Sequence, residues 1–354
     1  MQLTVAEELV RILMNTNPFR SAVHHKIRIK SNFRLRTYAL LLIIFNLMIY
    51  PCRGENLKKV TFIPHWQPQA QFAGYYVAKE KGLYKKYGID LTILKGGPER
   101  PSLELLAEGK VDFTSSFLST AIQKRAKGIR LVNIGQLVQR SGFILVAKKS
   151  SGIRTPKDLN GKKVSLWDDF RLQPLAFFRK YNLKVKAFPQ AETLNLFLRG
   201  GVDVASAMWY NEYHLLLNSG FDNEELTTFF FDKYDLNFPE DGIYCLEETL
   251  KKDKELCCNF VKASWEGWEY AFEHPDEALE IVMKYVKEAN VGTNKVHQKW
   301  MLERMKDIII LPDKPMGSLS NEDYNTVAHE LMVNGLIKKT PDFHEIYVDC
   351  STSK

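Results

Sequence analysis

Residues 58–97 read KKVTFIPHWQPQAQFAGYYVAKEKGLYKKYGIDLTILKGG, and this stretch predicts the class of fold. The opening KKVTFIP is rich in β-branched and aromatic residues, which is typical of a strand. From Gln71 onward apolar residues recur at helical spacing, and Gly88 lies just past the predicted end of that helix. The second strand, IDLTILK, ends at a pair of glycines. This strand–helix–strand order predicts a parallel sheet that is covered by helices.

The same alternation continues along the chain. A first series of strand and helix patterns reaches about residue 150, a second series begins there, and the chain from Lys251 onward is mainly helical. A length of 354 residues also favours two domains over one. We therefore predict an α/β fold with two lobes, each a mostly parallel sheet flanked by helices, and a helical C-terminal tail.

The sequence before the first predicted strand has the composition of a targeting segment. Residues 26–36 are strongly basic, and the apolar run from Tyr38 to Pro51 spans about 14 positions. That length suits the core of a signal peptide and is shorter than the ~20 residues that a membrane-spanning helix needs. We predict that residues 1–52 direct export. A buried helix of the fold and an uncleaved membrane anchor are the alternatives.

Cys52 follows the apolar run directly, where a bacterial lipoprotein carries its lipid. The usual lipoprotein signal has small residues just before that cysteine, whereas this chain has Tyr50 and Pro51. Lipidation of Cys52, which would anchor the protein to a membrane, and ordinary cleavage therefore both stay open.

The distribution of charge argues against a nucleic-acid partner. The net charge is +7, but residues 1–36 hold seven Lys or Arg against two Glu, so most of the excess lies there. Nucleic-acid binding would need basic residues clustered on the folded body. The cysteines after Cys52 form no C-x-x-C pair and have no histidines at zinc spacing, so we predict no metal site. Cys257 and Cys258 are adjacent in a predicted helix, and we interpret them as packing residues.

Two segments share a local pattern. LLAEGKVDFTSS at residues 105–116 and LFLRGGVDVASA at residues 196–207 both predict a helix that ends at glycine and leads into a short strand. Open α/β sheets bind ligands at the carboxyl ends of their strands, where small residues leave room. Two unrelated strand–helix turns are the alternative. The candidate residues at these ends are Thr114, Ser115, Ser116, Ser206, Met208, Trp209 and Tyr210.

The chain resembles the extracytoplasmic solute-binding proteins of ABC importers. The resemblance is carried by the two segments above together with WQPQAQFAGYYVAKEKGLYKKYGIDLTILKGGP, TPKDLNGKKV and MWYNEYHLLLNSG. The most similar branch binds sulfonates, taurine, nitrate and pyrimidine precursors of thiamine. The resemblance covers about residues 60–313 and implies a two-lobed, type II periplasmic-binding-protein-like fold. Its two crossover strands are expected at residues 142–149 and 241–248. It divides the chain into lobe I, residues 58–145 and 246–350, and lobe II, residues 146–245.

The resemblance also implies a ligand site between the lobes. The precursor binders use the stretch that matches residues 66–76 as an aromatic and polar wall, and they often carry a histidine where this chain has Phe72. Tyr75 and Tyr76 are adjacent on a predicted helix, so we expect one of them to face the cleft. Carried over position by position, the site comprises Trp66, Gln71, Phe72, Tyr76, Trp167, Trp209, Tyr210 and Glu212.

These side chains suit a flat ligand. Aromatic faces from opposite lobes can stack on a heteroaromatic ring, each contributing roughly 0.5–1.5 kcal/mol beyond burial. The carboxylate of Glu212 could accept hydrogen bonds from a ring amino group and would repel an anion. We therefore expect a thiamine pyrimidine precursor that is delivered to the permease subunits. A binder of sulfonate, taurine, nitrate or another small solute is the alternative.

Two other classes of protein share this resemblance. A pyrimidine synthase of the same fold uses pyridoxal phosphate and a cysteine-rich motif, and related domains act as ligand sensors. This chain lacks the cysteine-rich motif. We therefore expect no enzymatic activity and no cofactor.

Overall fold

Two five-stranded sheets form the centre of the protein in the computed structural model, which describes residues 57–312 and 314–350. The predicted signal segment and Cys52 lie outside the described residues. The first sheet has the order β2-β1-β3-β10-β4, and β10 runs against the other four strands. Its strands are β1 (Lys58–Ile63), β2 (Ile89–Ile93), β3 (Phe113–Phe117), β4 (Leu131–Gln136) and β10 (Asp241–Leu246).

The second sheet repeats this arrangement. Its order is β7-β6-β8-β5-β9, and β5 is the strand that runs against the others. Four of the five strands in each sheet therefore share one direction, in agreement with the mostly parallel sheets predicted from the sequence. The strands are β5 (Phe143–Lys148), β6 (Lys163–Leu166), β7 (Lys186–Pro189), β8 (Val204–Met208) and β9 (Leu226–Phe230).

Helices cover both sheets and form the C-terminal tail. The helices of the described chain are α1 (Ala73–Glu80), α2 (Leu83–Lys86), α3 (Ser102–Ala107), α4 (Leu118–Ala126), α5 (Leu172–Lys180), α6 (Asn195–Leu198), α7 (Glu212–Asn218), α8 (Glu247–Lys252), α9 (Lys254–Glu273), α10 (Pro275–Glu288), α11 (Lys295–Ile309), α12 (Asn321–Val333) and α13 (Phe343–Ile346). Within the described residues, no helix combines the length and the apolar character needed to cross a bilayer.

The crossovers between the sheets lie slightly before the predicted ones. Residues 137–142 connect β4 to β5, and residues 231–240 connect β9 to β10. The expected lobe limit at 145 falls inside β5, which pairs only within the second sheet. The limit at 246 falls at the end of β10, which pairs only within the first sheet, so both limits belong a few residues earlier. The two crossovers are hydrogen-bonded to each other, since Glu240 N donates to Val138 O at 3.0 Å and Val138 N donates to Asp241 O at 2.9 Å.

Long tail helices start at side-chain caps. Asp253, Asn294 and Ser320 each accept a hydrogen bond from the backbone N–H of the third residue on, which satisfies one free donor of α9, α11 and α12. Helix α9 packs closely on α1, where Gly267 and Gly74 face the partner helix. A Cβ at Gly267 would lie 2.2 Å from the carbonyl oxygen of Gly74, so only glycine permits this contact.

Helices α11 and α12 each contact both lobes. Helix α11 touches the short helical turn at residues 70–72 of lobe I, and its Trp300 donates from Nε1 to the carbonyl of Trp209 in lobe II at 3.2 Å. Helix α12 packs on α4 of lobe I and on α5 of lobe II, where Glu330 pairs with Arg179. The tail therefore fixes the two lobes relative to each other.

A disulfide ties the tail to its own end. Cys258 on α9 is bonded to Cys350, 92 residues further along the chain. The neighbouring Cys257 is a buried free thiol, as is Cys245 on β10. The packing interpretation of the adjacent cysteines thus applies to Cys257, whereas Cys258 is covalently bonded.

Candidate ligand-binding cleft

A cavity of about 510 Å³ lies where the carboxyl ends of β3 and β6 meet the second crossover. We call this cavity the binding cleft. Open α/β sheets place ligands at this edge of their strands. Its walls come from both lobes and its floor from the crossover. Its lining includes His65, Trp66, Arg100, Ser116, Phe117, Lys124, Phe143, Asp168, Phe170, Arg171 and Glu240.

Aromatic rings form opposite walls of the binding cleft. Phe117 is the last residue of β3 in lobe I, and Phe170 follows β6 in lobe II. Their ring centroids are 4.8 Å apart, so the two lobes are in contact at the cleft. Phe143, at the start of β5, lies 6.5 Å from Phe170, and Trp66 adds an indole from lobe I. A planar ligand that separates Phe117 from Phe170 would contact a ring face on each side.

The floor carries a buried carboxylate, Glu240, which is 2% exposed. Its Oε1 accepts hydrogen bonds from the backbone N–H of Gly142 at 2.6 Å and of Phe143 at 3.0 Å, and from Ser141 Oγ at 3.2 Å. Its Oε2 accepts one bond, from Tyr210 OH at 3.2 Å. Burial, and then the neighbouring Asp241, raise the pKa of Glu240 to about 8. Oε2 keeps room for one more donor, because each carboxylate oxygen has two lone pairs.

A second polar group surrounds His65, which lines the cleft. Its Nδ1 lies 3.1 Å from Ser115 Oγ and 3.3 Å from Asp241 Oδ1. The other oxygen of Asp241 accepts from Gln71 Nε2 at 2.9 Å, whereas Oδ1 is buried without a hydrogen bond of suitable geometry. Burial lowers the pKa of His65 to about 3 and raises that of Asp241 to about 7. The imidazole is therefore neutral at physiological pH.

The basic residues of the cleft lie at its rim. Lys124 pairs with Glu104, and Arg171 lies 3.3 Å from Asp168. Arg100 donates to a backbone carbonyl at 3.4 Å. The deep part of the cavity presents acceptors and neutral groups, and its described residues place no cation there.

Some of the residues that the sequence singled out meet at the binding cleft. Trp66 and Ser116 line it. Ser115 bonds to His65 directly, and Gln71 bonds to Asp241, whose other oxygen lies 3.3 Å from the His65 ring. Trp167 stands beside the wall, 5.7 Å from the ring of Phe143, with its Nε1 bonded to the carbonyl of Ala191.

The structure places the other residues of the predicted aromatic wall in the interior of lobe I. Phe72 is fully buried with its ring edge-to-face against His65. Tyr75 packs on Phe62 with centroids 4.6 Å apart, and Tyr76 stacks on Tyr285 at 4.2 Å. Neither tyrosine faces the cleft, because the tail helices α9 and α10 cover α1.

The predicted lobe II residues also lie away from the binding cleft. Trp209 packs against Tyr213, Phe230 and Trp300 in a separate cluster. Tyr210 supports Glu240 from behind, at the back of the cleft floor. Glu212 accepts from the backbone N–H of Met208 at 2.9 Å at the start of α7, so its carboxylate serves its own turn. Burial raises the pKa of Glu212 to about 7.

Sequence reasoning did not select several residues that line the cleft: His65, Phe117, Phe143, Phe170 and Glu240. Phe117 directly follows the Ser115-Ser116 pair that was selected, so the end of β3 was located but its last side chain was omitted. Glu240 directly precedes the predicted crossover strand. An acidic pair at that position was a usable signal.

The chain belongs to the NMT1/THI5-like family, whose profile matches residues 69–278, more than half of the sequence. Its fold is that of the periplasmic solute-binding proteins of ABC importers, as one solved structure illustrates. The periplasmic aliphatic sulphonate-binding protein of Escherichia coli aligns with a TM-score of 0.68 at 18% identity, over 84% of this chain and 94% of that one.

Two curated relatives are similar over most of their length. The formylaminopyrimidine-binding protein of Halalkalibacterium halodurans is 23% identical over 286 residues, which covers 77% of this chain and 84% of the relative. A 4-amino-5-hydroxymethyl-2-methylpyrimidine phosphate synthase of Saccharomyces cerevisiae is 24% identical over 300 residues, covering 75% and 87%.

Proposed function

We propose that this chain is the extracytoplasmic solute-binding component of an ABC importer and that its binding cleft captures a small aminopyrimidine, a precursor of thiamine. The observation that carries the proposal is a cleft with aromatic walls on two lobes and hydrogen-bond acceptors on its floor. The protein is exported, in the periplasm or held at the membrane by a lipid on Cys52. Ligand capture would bring both lobes into the arrangement that the permease subunits recognise.

The aromatic walls favour a planar guest. Phe117 and Phe170 lie on opposite lobes, and a ring inserted near them contacts one face from each side. Such contacts contribute roughly 0.5–1.5 kcal/mol each beyond the buried area. An aliphatic sulfonate has no flat face to use them.

The floor favours a ligand that donates hydrogen bonds. Glu240 has one free acceptor position on Oε2, and the amino group of an aminopyrimidine supplies N–H donors. Because burial raises the pKa of Glu240 to about 8, the carboxyl is largely protonated at neutral pH and the bond joins neutral groups. An anion would find no free cation on the floor of the cleft, because Lys124 and Arg171 are paired at the rim.

The curated relatives support the same class of ligand. One is named for binding formylaminopyrimidine, and the other for making a phosphorylated aminopyrimidine. The E. coli neighbour is named for binding aliphatic sulphonates, so a sulfonate binder is the competing assignment.

Isothermal titration of the purified protein tests the assignment. We expect binding of 4-amino-5-hydroxymethyl-2-methylpyrimidine or its formylated amine, and none of taurine. Phe170→Ala should weaken binding, whereas Phe188→Ala, on the exposed strand β7 of the same lobe, should not. Binding of taurine together with no heat from either pyrimidine would overturn the proposal.

The yeast relative is named as a pyrimidine phosphate synthase, which raises a second possibility, an enzyme. The resemblance seen in the sequence associates such synthases with pyridoxal phosphate. That cofactor is held as a Schiff base to a lysine. Lys124 and Lys127 line the outer part of the cleft, and Lys124 is engaged by Glu104. An absorbance band of the Schiff base in protein mixed with pyridoxal phosphate, lost in Lys124→Met or Lys127→Met, would favour the enzyme over the transporter component.

A further inference from the structure

A chain of hydrogen bonds connects the two lobes through a pair of histidines on the tail side of the binding cleft. His214 lies on α7 of lobe II and His297 on tail helix α11. Their Nδ1 atoms are 2.9 Å apart, which is hydrogen-bonding distance. The ring of His214 also stacks on Trp300 at 4.9 Å with an interplanar angle of 10°.

The neighbours fix which nitrogen carries each proton. The amide of Asn211 donates from Nδ2 to Glu212 Oε1 at 2.8 Å, so its Oδ1 faces His297 Nε2, also at 2.8 Å. His297 must then carry its proton on Nε2, and its Nδ1 is an acceptor. The proton between the two rings therefore belongs to His214.

This arrangement has no place for a second proton on His297. Protonated Nδ1 of His297 would face the Nδ1–H of His214, with two donors at 2.9 Å and no acceptor between them. A proton added to the other nitrogen of His214 leaves the bond intact. Acid therefore breaks this bond through His297, while burial lowers the pKa of His214 as well.

Helix α11 also holds the loop that supports the binding cleft. Gln298 Oε1 accepts from the backbone N–H of Ala70 at 2.6 Å, and the N–H of Gln71 points at Met301 Sδ at 3.3 Å. Gln71 in turn bonds to Asp241 behind His65. The histidine pair thus connects lobe II to a helix that positions this wall of the cleft.

We propose that His297 is a positioning residue whose protonation releases helix α11 from lobe II and loosens residues 70–72. This response to protonation does not depend on which ligand the cleft binds. Neutral His297 supports the closed arrangement, and acid opens it.

The charges around the pair are compatible with this role. On α7, Glu212 ends the chain of bonds through Asn211. On α11, the guanidinium of Arg304 lies 4.9 Å from the Trp300 ring centroid. From lobe I, residues 70–72 bring no charge, and Gln71 bonds to the carboxylate of Asp241. The remaining neighbour, Asn218, is neutral, and its side-chain amide lies 3.4 Å from His214 Nδ1; a proton on that nitrogen requires the amide to turn its oxygen toward the ring.

Burial lowers the pKa of His297 from 6.5 to about 4, with His214 as a second cause. A lowered histidine pKa means that the closed form is favoured above pH 6.5 and loses this advantage as the pH falls toward 4. Linkage then gives an opening equilibrium about 30-fold larger at pH 5 than at pH 7.5.

Hydrogen–deuterium exchange of peptides from residues 295–309, corrected for intrinsic rates, measures that opening. We expect the roughly 30-fold rise of the opening equilibrium in wild type and in His329→Gln, which changes an exposed histidine. In His297→Gln, whose amide keeps a donor and an acceptor, the rise should be less than about threefold. A rise in His297→Gln as large as that in wild type would overturn the proposal, also where the titration of Glu212 causes it. The absence of a rise in wild type would overturn it too.

A second measurement does not depend on a variant that must fold. Nitrogen-15 NMR at pH 7 should show His297 protonated on Nε2 only, and a proton on its Nδ1 would overturn the proposal. Neither readout uses a ligand. A failure to bind pyrimidines would therefore refute the proposed function and leave this inference standing.

Discussion

The ring of Phe117 lies 4.8 Å from the ring of Phe170, although the two residues belong to different lobes. Phe117 ends a strand of lobe I, and Phe170 follows a strand of lobe II. The lobes thus meet through aromatic faces at the place where a ligand would enter. The contact is a closed arrangement that a planar guest could widen without leaving the rings exposed to water.

Phe117→Leu should weaken binding of an aminopyrimidine roughly 2- to 10-fold, because one aromatic face is lost while the apolar volume remains. Tyr76→Phe should leave the affinity unchanged, since Tyr76 stacks on Tyr285 inside lobe I. Isothermal titration of both variants checks this. A larger loss for Tyr76→Phe than for Phe117→Leu would contradict the position of the cleft.

Gly267→Ala should destabilise the fold by about 1–3 kcal/mol, because the new methyl group must separate α9 from the backbone of α1. Gly292→Ala is the matched control, since nothing lies within 4 Å of a Cβ at that position. Urea unfolding of both variants gives the free energies of unfolding. Equal stability would show that the two helices are less close than described.

Glu240 should make the free energy of unfolding fall as the pH rises from 6.5 to 8. Its pKa in the folded state is raised from 4.5 to about 8, so the folded protein binds a proton in this range that the unfolded chain has released. The slope of this contribution is at most about 1.4 kcal/mol per pH unit. Glu240→Gln should flatten the profile, and Glu248→Gln, at an exposed position, should not. Thermal unfolding across this range is the measurement, and identical profiles for the two variants would refute the assignment.

Reduction should lower the unfolding temperature of the wild type, because the Cys258–Cys350 disulfide links two residues that are 92 positions apart in the chain. The bond restricts the unfolded chain and contributes about 2–4 kcal/mol. Cys350→Ser should have the lower temperature from the start and should not respond to dithiothreitol. A response in that variant would mean that another pair of cysteines is bonded.

The sequence predicted the two sheets, their mostly parallel strands and the helical tail, because strand and helix periods are local. Trp66, which the resemblance indicated, and Ser116, at the end of a predicted strand, both line the cavity, and their role in binding stays a prediction. The orientation of Tyr75 and Tyr76 was not available locally. It depends on α9 and α10, almost 200 residues further along the chain, which pack on α1.

The lobe II part of the site shows the same limit. Trp209 has the composition expected of a binding residue, but its partner Trp300 lies on α11 and occupies the face that a ligand would use. The carboxylate of Glu212 accepts a hydrogen bond from the backbone N–H of Met208, four residues earlier. This local bond was left out when Glu212 was predicted to bind a ligand. The Cys258–Cys350 bond joins residues with no shared motif, so their spacing alone gave no indication of it.

The last described residues complete the edge of the first sheet. Val348 N donates to Asn133 O at 2.9 Å, next to the bridge between Asn133 and Tyr347, and Cys350 closes the disulfide. Lobe I is therefore assembled from the earliest and the latest described parts of the chain, with lobe II inserted between them. Lobe II has all five of its strands by residue 230, whereas lobe I needs β10 and the segment up to residue 350 before its sheet is complete and β4 is covered. In a chain made from its N-terminus, lobe II can therefore complete its sheet before lobe I does.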